Sequence, residues 1–209
     1  MPDRSWQRPE PLDPKHVLSG FSCGKPELDD WLRKRAIVNQ ASGSTKTHVV
    51  VEDGRVIGYY ALATASVAHS DVTGRTRRNM PDNIPAVILA RMAVDEEYRG
   101  QGLGSALLRS AIDTTLAAAE TVGIACLLVH AKDEQARRFY LHFDFEASPT
   151  DPLHLILRVW HRTGRPGGRP IWQDTNWPPV TIRATTTTMT YTDGAVETAT
   201  TTAAVTFGR

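Results

Sequence analysis

Leu89-Ala90-Arg91-Met92-Ala93-Val94-Asp95-Glu96-Glu97-Tyr98-Arg99-Gly100-Gln101-Gly102-Leu103-Gly104-Ser105-Ala106-Leu107-Leu108 joins three kinds of sequence without a break. An apolar run of strand type comes first and a glycine-rich turn follows. A helix opens directly from that turn, with Leu103, Leu107, Leu108 and Ala111 on one stripe. Such an order builds an anion cradle. Small residues let the backbone approach phosphates, and the free N–H groups of the first helical turn point at them. A diphosphate-bearing small molecule is therefore expected at this turn.

Working outward, the flanking elements alternate between hairpin and crossover signals. Residues 1–15 are rich in proline and charge and read as irregular. Pro26 suits the first turn of a helix whose Leu28, Trp31 and Leu32 share a face, and Asn39–Ser44 ends it. Thr47–Val51 and Val56–Val67 read as strands joined by the turn residues Glu52-Asp53-Gly54-Arg55. A polar loop, His69–Pro85, precedes a buried strand at Ala86–Asp95. The helix after the glycine turn is expected to end near Gly123 with that glycine as its C-cap. Ile124–His130 reads as another buried strand. Asp133 can cap a short helix carrying Ala136, Phe139 and Tyr140, and Leu153–Val159 closes the sheet. The fold class is α+β, with a mixed, mostly antiparallel sheet, a central β-α-β unit over 86–130 and flanking helices. That unit should be parallel and right-handed.

Composition sets limits on function. A chain of 209 residues is long enough for one substantial core, and a net charge of +1 gives no global field for nucleic acid or membrane. Any polyanion site must be a local patch. Cys23 and Cys126 form no disulfide framework or zinc spacing, and Cys126 reads as a buried small residue. His16, His48, His69, His130, His142, His154 and His161 never fall into a ligand pattern, so no metal is expected. No apolar run approaches the ~20 residues of a membrane-spanning helix, and the N-terminus lacks a signal-peptide core. A reduced, cytoplasmic protein is expected.

The last stretch departs from this pattern. Thr163–Pro170 is rich in Gly, Pro and Arg, and twelve of the 29 residues from Thr181 to Arg209 are Thr. The sequence divides into a domain over 1–160 and a Gly/Pro/Thr-rich tail over 161–209, expected to be disordered. A small hairpin around Thr190–Val196 and a reading frame shifted past about residue 160 are the alternatives the composition leaves open.

Arg-Gly-Gln-Gly-Leu-Gly by itself is weak evidence for any one ligand. A Rossmann unit carries its glycine fingerprint on the first strand, with an acidic partner about 20 residues on. This turn follows earlier strands and lacks that partner. The Gly-Lys-Ser/Thr of a P-loop is also missing. The pattern that matches is Arg/Gln-x-x-Gly-x-Gly/Ala after a strand ending in Val-Asp, standing here as Met92-Ala93-Val94-Asp95 and Arg99-Gly100-Gln101-Gly102-Leu103-Gly104. Downstream come Asp133-Glu134-Gln135-Ala136-Arg137-Arg138-Phe139-Tyr140 and Phe143-Asp144-Phe145. In this order the segments resemble the GNAT superfamily of acetyl-CoA-dependent N-acetyltransferases. Phe21-Ser22-Cys23-Gly24, Leu28-Asp29-Asp30-Trp31-Leu32, Gly58-Tyr59-Tyr60-Ala61-Leu62 and Ile84-Pro85 narrow the resemblance to the toxin branch of that superfamily, over roughly residues 12–160. Two positions depart from the family pattern. Asp144 stands where a Gly usually precedes Phe, and Asp133 where Asn is frequent.

The resemblance implies acetyl-CoA as cosubstrate, held by backbone groups of Met92, Ala93 and Val94 and by Arg99, Gly100, Gln101, Gly102, Leu103 and Gly104, with Asp133 nearby. It implies Tyr140 as the general acid beside the CoA sulfur. It further implies transfer to the α-amine of an aminoacyl-tRNA, which blocks translation, and neutralisation by a ribbon-helix-helix antitoxin. A homodimer is neither required nor forbidden by the sequence. Local basic residues Arg33, Lys34, Arg35, Arg77, Arg78 and Arg91 are the candidates for tRNA contact. An acetyltransferase acting on a small amine or a protein N-terminus shares the cosubstrate motif but needs no basic surround. A catalytically inactive interaction module, weakened at Asp133 and Asp144, is the reading from a different class.

Overall fold

The computed structural model describes residues 6–159, 180–192 and 195–207. The stretch expected to be irregular contributes two short strands, β1 (Trp6–Gln7) and β2 (Glu10–Pro11). Helix α1 (Pro26–Lys34) begins on Pro26, whose missing N–H costs nothing at a first turn, and Arg35 breaks it from α2 (Ala36–Ala41). The helical region thus continues past Asn39 as a second helix, because Ala36 is fully buried and pulls that turn onto the sheet. Strands β3 (Lys46–Glu52) and β4 (Arg55–Ala68) form the expected hairpin. Asp53 and Gly54 both take positive φ, the conformation a two-residue turn of this hand demands.

The loop after β4 is not featureless. It holds a 3-10 turn at His69–Asp71 and a four-residue helix, α3 (Gly74–Arg77). Strand β5 (Asn83–Val94), helix α4 (Leu103–Thr121) and strand β6 (Cys126–His130) make the central parallel unit. The C-cap of α4 is Val122 in an extended conformation, and Gly123 is not left-handed. Helix α5 (Glu134–His142) and strands β7 (Glu146–Ala147) and β8 (His154–Arg158) follow. The main sheet runs β2-β3-β4-β5-β6-β8-β7, with β5 and β6 its one parallel pair among the described residues.

Period-two alternation distributes the strands' side chains to two faces. On one face Tyr60, Leu62, Leu89, Leu127, Val129, Leu155 and Leu157 pack under Leu103, Leu107, Leu108 and Ala111 of α4. The other face carries two separate clusters. Phe21, Leu32, Ala36, Tyr59 and Ala93 lie beneath α1 and α2, while Val67, Val72, Ile84, Cys126 and Ile156 lie beneath the α3 loop. Gly58 sits where α4 crosses β4. A Cβ there would stand 3.0 Å from Leu107 Cδ1 and 3.2 Å from Leu103 Cδ2. Gly58→Val is therefore expected to overpack the contact and lower unfolding free energy by about 2 kcal/mol, read as a reduced urea midpoint at unchanged m-value.

Strands β9 (Val180–Thr192) and β10 (Ala195–Phe207) pair antiparallel throughout, and β1 pairs parallel to β9. Both strands lie in the Thr-rich stretch, where runs of β-branched residues favour extended chain. Residues 193–194 and the segment 160–179 lie outside the described residues.

Candidate active site

The site is created by a parting of strands. β5 pairs with β6 only from Ala86↔Cys126 to Ile88↔Leu128, although β5 runs on to Val94 and β6 to His130. Just beyond the last pair, β4 and β5 change register. Ala61 faces Arg91 and Leu62 faces Leu89, which leaves Ala90 as the extra residue of a bulge. From there β5 stays with β4 and leaves β6. Asp95 N–H donates to the Ile57 carbonyl on the β4 side at 3.0 Å. By strand alternation the N–H and C=O groups of Met92 and Val94 face the open wedge instead. An extended amide-bearing chain placed there would pair with them as an added strand.

At the end of β5 the chain makes one 3-10 turn, Glu96–Tyr98, and enters the glycine segment. Gly100 (φ +71°) and Gly102 (φ +83°) are both left-handed, and a Cβ added at either would meet nothing within 4 Å. The glycines are required by backbone conformation, and the space outside them is open. Gly102 is the N-cap of α4 and supplies no side-chain cap, so the N–H groups of its first turn carry no capping oxygen. A 19-residue helix adds its dipole at that point. These donors, this dipole and the open surface fit a pyrophosphate.

Gly104 marks a point of convergence. A Cβ there would lie 3.8 Å from Val94 Cγ2 and 4.0 Å from Phe139 Cζ, so the end of β5, the start of α4 and helix α5 meet at this residue. Asp133 caps α5 as its spacing predicted, accepting from Ala136 N–H at 2.8 Å. Asp144 is left-handed (φ +62°) and ends the helix in a Schellman turn. Phe145 N–H reaches the Tyr140 carbonyl and Asp144 N–H the Leu141 carbonyl, both at 3.3 Å. The turn that a glycine would make is thus kept, and it sends Phe143 and Phe145 into the core beside Tyr140. Tyr140 itself is 7% exposed, edge-on to Phe139 and tilted against Phe145. Its hydroxyl bonds to no described residue, and burial pushes its pKa well above that of a free phenol. Tyr140 is consequently a protonated donor throughout the neutral range.

Other predicted residues fall into two groups. Arg33 and Lys34, in the last turn of α1, both pair with Asp30, and Arg35 follows them, exposed. Arg91 projects from β5 over the Trp31 ring at 5.9 Å, which places it beside α1. These four share one side of the wedge. Arg77 and Arg78 do not join them. α3 is held against β7 by Thr73, whose hydroxyl donates to Glu146 at 2.8 Å, and Arg91 stands eight residues, about 27 Å, along β5 from Asn83. The Arg99 side chain is committed to Glu96 at 3.3 Å and to the Cys23 carbonyl.

Several residues at the site were not legible as such. Trp6 N–H donates to the Gln101 carbonyl at 3.3 Å and its ring meets Tyr98 edge-on. An indole in a proline-rich leader was the available signal. Lys132, just before the cap of α5, pairs with Glu27 of α1 across the wedge. Arg55 bonds Asp95 across 40 positions, a pairing that no local pattern announces. Among the described residues no group of three or more His, Cys, Asp or Glu is arranged to hold a metal, and no helix is long and apolar enough to cross a membrane.

Comparison with known proteins shows the family. The acetyltransferase (GNAT) domain profile matches residues 44–147. A tRNA-acetylating toxin of Mycobacterium tuberculosis is 52% identical over 152 residues, spanning 73% of this chain and 92% of that protein. The solved structure of AtaT complexed with acetyl-methionyl-tRNAfMet is similar with a TM-score of 0.68 at 26% identity, covering 72% of this chain and 93% of that one. A mutant AtaT toxin bound to the C-terminus of the antitoxin AtaR and acetyl-CoA gives a TM-score of 0.62 at 26% identity, covering 72% and 92%. With its parted strands, uncapped glycine turn and these relatives, the chain belongs to the GNAT acetyltransferase family.

Proposed function

We propose that this protein is a toxin-type N-acetyltransferase that moves the acetyl group of acetyl-CoA to the α-amine of an aminoacyl-tRNA and so blocks translation. The observation that carries this reading is the convergence at Gly104 of an uncapped helix N-terminus, an unpaired strand edge and the helix bearing Tyr140. The acetyltransferase unit spans 1–160, and 161–209 is an appendage to it. The 52% identity to a tRNA-acetylating toxin supports the acceptor class.

The residues divide the work as follows. Backbone N–H groups from Arg99 to Gly104 hold the pyrophosphate, and Met92, Ala93 and Val94 align the pantetheine arm along β5. The Val94 amide donates to the thioester carbonyl, where negative charge develops as the amine attacks. Asp133 fixes the start of α5 and hence the position of Tyr140. As the C–S bond breaks, the Tyr140 hydroxyl donates a hydrogen bond to the sulfur, and the proton lost by the amine ends on the thiol. No dedicated carboxylate base is required, because an α-amine titrates near about 8 and an ester-linked one lower still. Arg33, Lys34, Arg35 and Arg91 engage the acceptor end of the tRNA, with Arg77 and Arg78 meeting phosphates farther along. The protein works in the cytoplasm, and a ribbon-helix-helix antitoxin neutralises it.

The test is incubation with labelled acetyl-CoA and total charged tRNA, followed by identification of the acetylated amino acid. For charged tRNA, kcat/KM is expected to fall steeply from about 50 to 200 mM salt, and Arg91→Gln to reduce the log–log slope by about one. Transfer to a small amine at a rate indifferent to salt, with charged tRNA inert, refutes the acceptor class. Failure to bind acetyl-CoA in calorimetry refutes the enzyme and favours an inactive module.

A further inference from the structure

The short segment ahead of α1 is fastened to the residues that begin the glycine turn. Asp95, 2% exposed, receives three donors: Arg55 at 2.7 Å, Ser22 N–H at 3.2 Å and Glu97 N–H at 3.1 Å. Arg55 also donates to the Gly20 carbonyl and to Glu97, each at 3.1 Å. In return Glu96 N–H donates to the Ser22 carbonyl at 2.9 Å, and Arg99 donates to the Cys23 carbonyl. The approach is close enough that a Cβ at Gly24, already left-handed, would stand 2.7 Å from Glu96 Oε1. Residues 20–24 and 95–99 therefore form one stitched unit. It joins the helix that carries Arg33, Lys34 and Arg35 to the turn that carries Gly100 and Gly102.

We infer that Asp95 and Arg55 are positioning residues for catalysis: their ion pair clasps the acceptor-side segment onto the base of the glycine turn and so sets the aim of the turn's amides at the pyrophosphate. The inference rests on the acetyl-CoA reading above. Neither side chain touches the reacting atoms. The clasp acts through backbone position, since Asp95 is at once the last anchor of β5 to β4, through its N–H to Ile57, and the cap of the 3-10 turn leading into Gly100. A buried carboxylate surrounded by donors holds that geometry in a way a neutral amide cannot. Glu97 N–H bonds one carboxylate oxygen while Ser22 N–H and Arg55 share the other, so the NH2 of Asn would face one donor in one orientation and two in the other.

A pair of thioester donors separates this role from general stability. Acetyl-CoA carries the pyrophosphate, and S-acetylpantetheine has the same thioester and pantetheine arm without it. Asp95→Asn is expected to lower kcat/KM for acetyl-CoA roughly tenfold, mainly through KM, while kcat/KM for S-acetylpantetheine stays within about twofold of its unmutated value. Arg55→Met, at a part-exposed residue, should give the same selective loss and carries the readout should Asp95→Asn not fold. The double variant should be no worse than the weaker single one, and Arg55→Lys should recover part of the loss. Equal losses with both donors, or no loss with acetyl-CoA, overturn the clasp. If the unmutated protein acetylates nothing from either donor, it is the acetyltransferase reading that fails.

Discussion

Tyr140→Phe is expected to lower kcat by about 10²-fold while leaving the fold and the binding of acetyl-CoA in place. The ring fills the space between Phe139 and Phe145, and Phe fills it equally well. No described hydrogen bond is lost with the hydroxyl, so the thermal midpoint should move little. What disappears, on the mechanism proposed above, is the donor to the departing sulfur. Burial holds the Tyr140 phenol above its ordinary pKa, so its proton stays on through neutral and mildly alkaline pH. The sign follows directly. A raised phenol pKa preserves the donor as pH rises, so the rate should climb with deprotonation of the amine and then level. No falling limb from Tyr140 should appear below about pH 10. Stopped-assay kinetics across pH with charged tRNA, plus calorimetry with acetyl-CoA, check both statements. Turnover near the unmutated rate would remove Tyr140 from the chemistry and leave it a packing residue.

Gly102→Val should weaken acetyl-CoA binding by roughly a hundredfold, the size expected when two charge-assisted backbone hydrogen bonds are misaimed. At φ +83° a β-branched residue is strained by more than the roughly 1–2 kcal/mol that an ordinary L-residue loses there. The chain relieves that strain by turning the peptide, which swings the following N–H groups off target. There is no collision to blame, because a Cβ at this position meets nothing within 4 Å. Global stability should therefore fall only modestly while affinity collapses, and calorimetry beside a urea titration resolves the two. Gly58→Val inverts that pattern, since its side chain is driven into Leu103 and Leu107 within the core. Retained affinity in Gly102→Val would mean that the turn does not hold the pyrophosphate.

Legibility followed the range of the interaction. The Pro26 helix start, the Asp53-Gly54 turn and the Asp133 cap all depend on a few consecutive residues, and all appear. Helix α4 ends near Gly123 as expected, but that glycine is not its cap: a glycine after a periodic run suggests a left-handed cap, whereas here the chain leaves α4 extended at Val122 to reach β6. Strand β7 has no sequence signature, because two residues carry no period and its pairing with β8 alone defines it. The break at Arg35 that divides α1 from α2 carries no sequence signal, because the burial of Ala36 comes from the sheet below rather than from the helix's own pattern.

What the sequence determined by itself is the chemistry of the turn. Glycine at 100 and 102, an apolar strand before them and a leucine stripe after them are enough to specify a left-handed turn that opens a helix with uncapped amides, the arrangement proposed to hold the pyrophosphate, because backbone conformation and helix dipole are local physics. What the tertiary structure alone decided is where that cradle points and what faces it. The parting of β5 from β6 past Ile88, the separation of Arg77 and Arg78 from Arg91, and the closure of Arg55 on Asp95 each join residues tens of positions apart. Such contacts are fixed only once the sheet has taken its order and its two faces have been filled, so no window of sequence contains them.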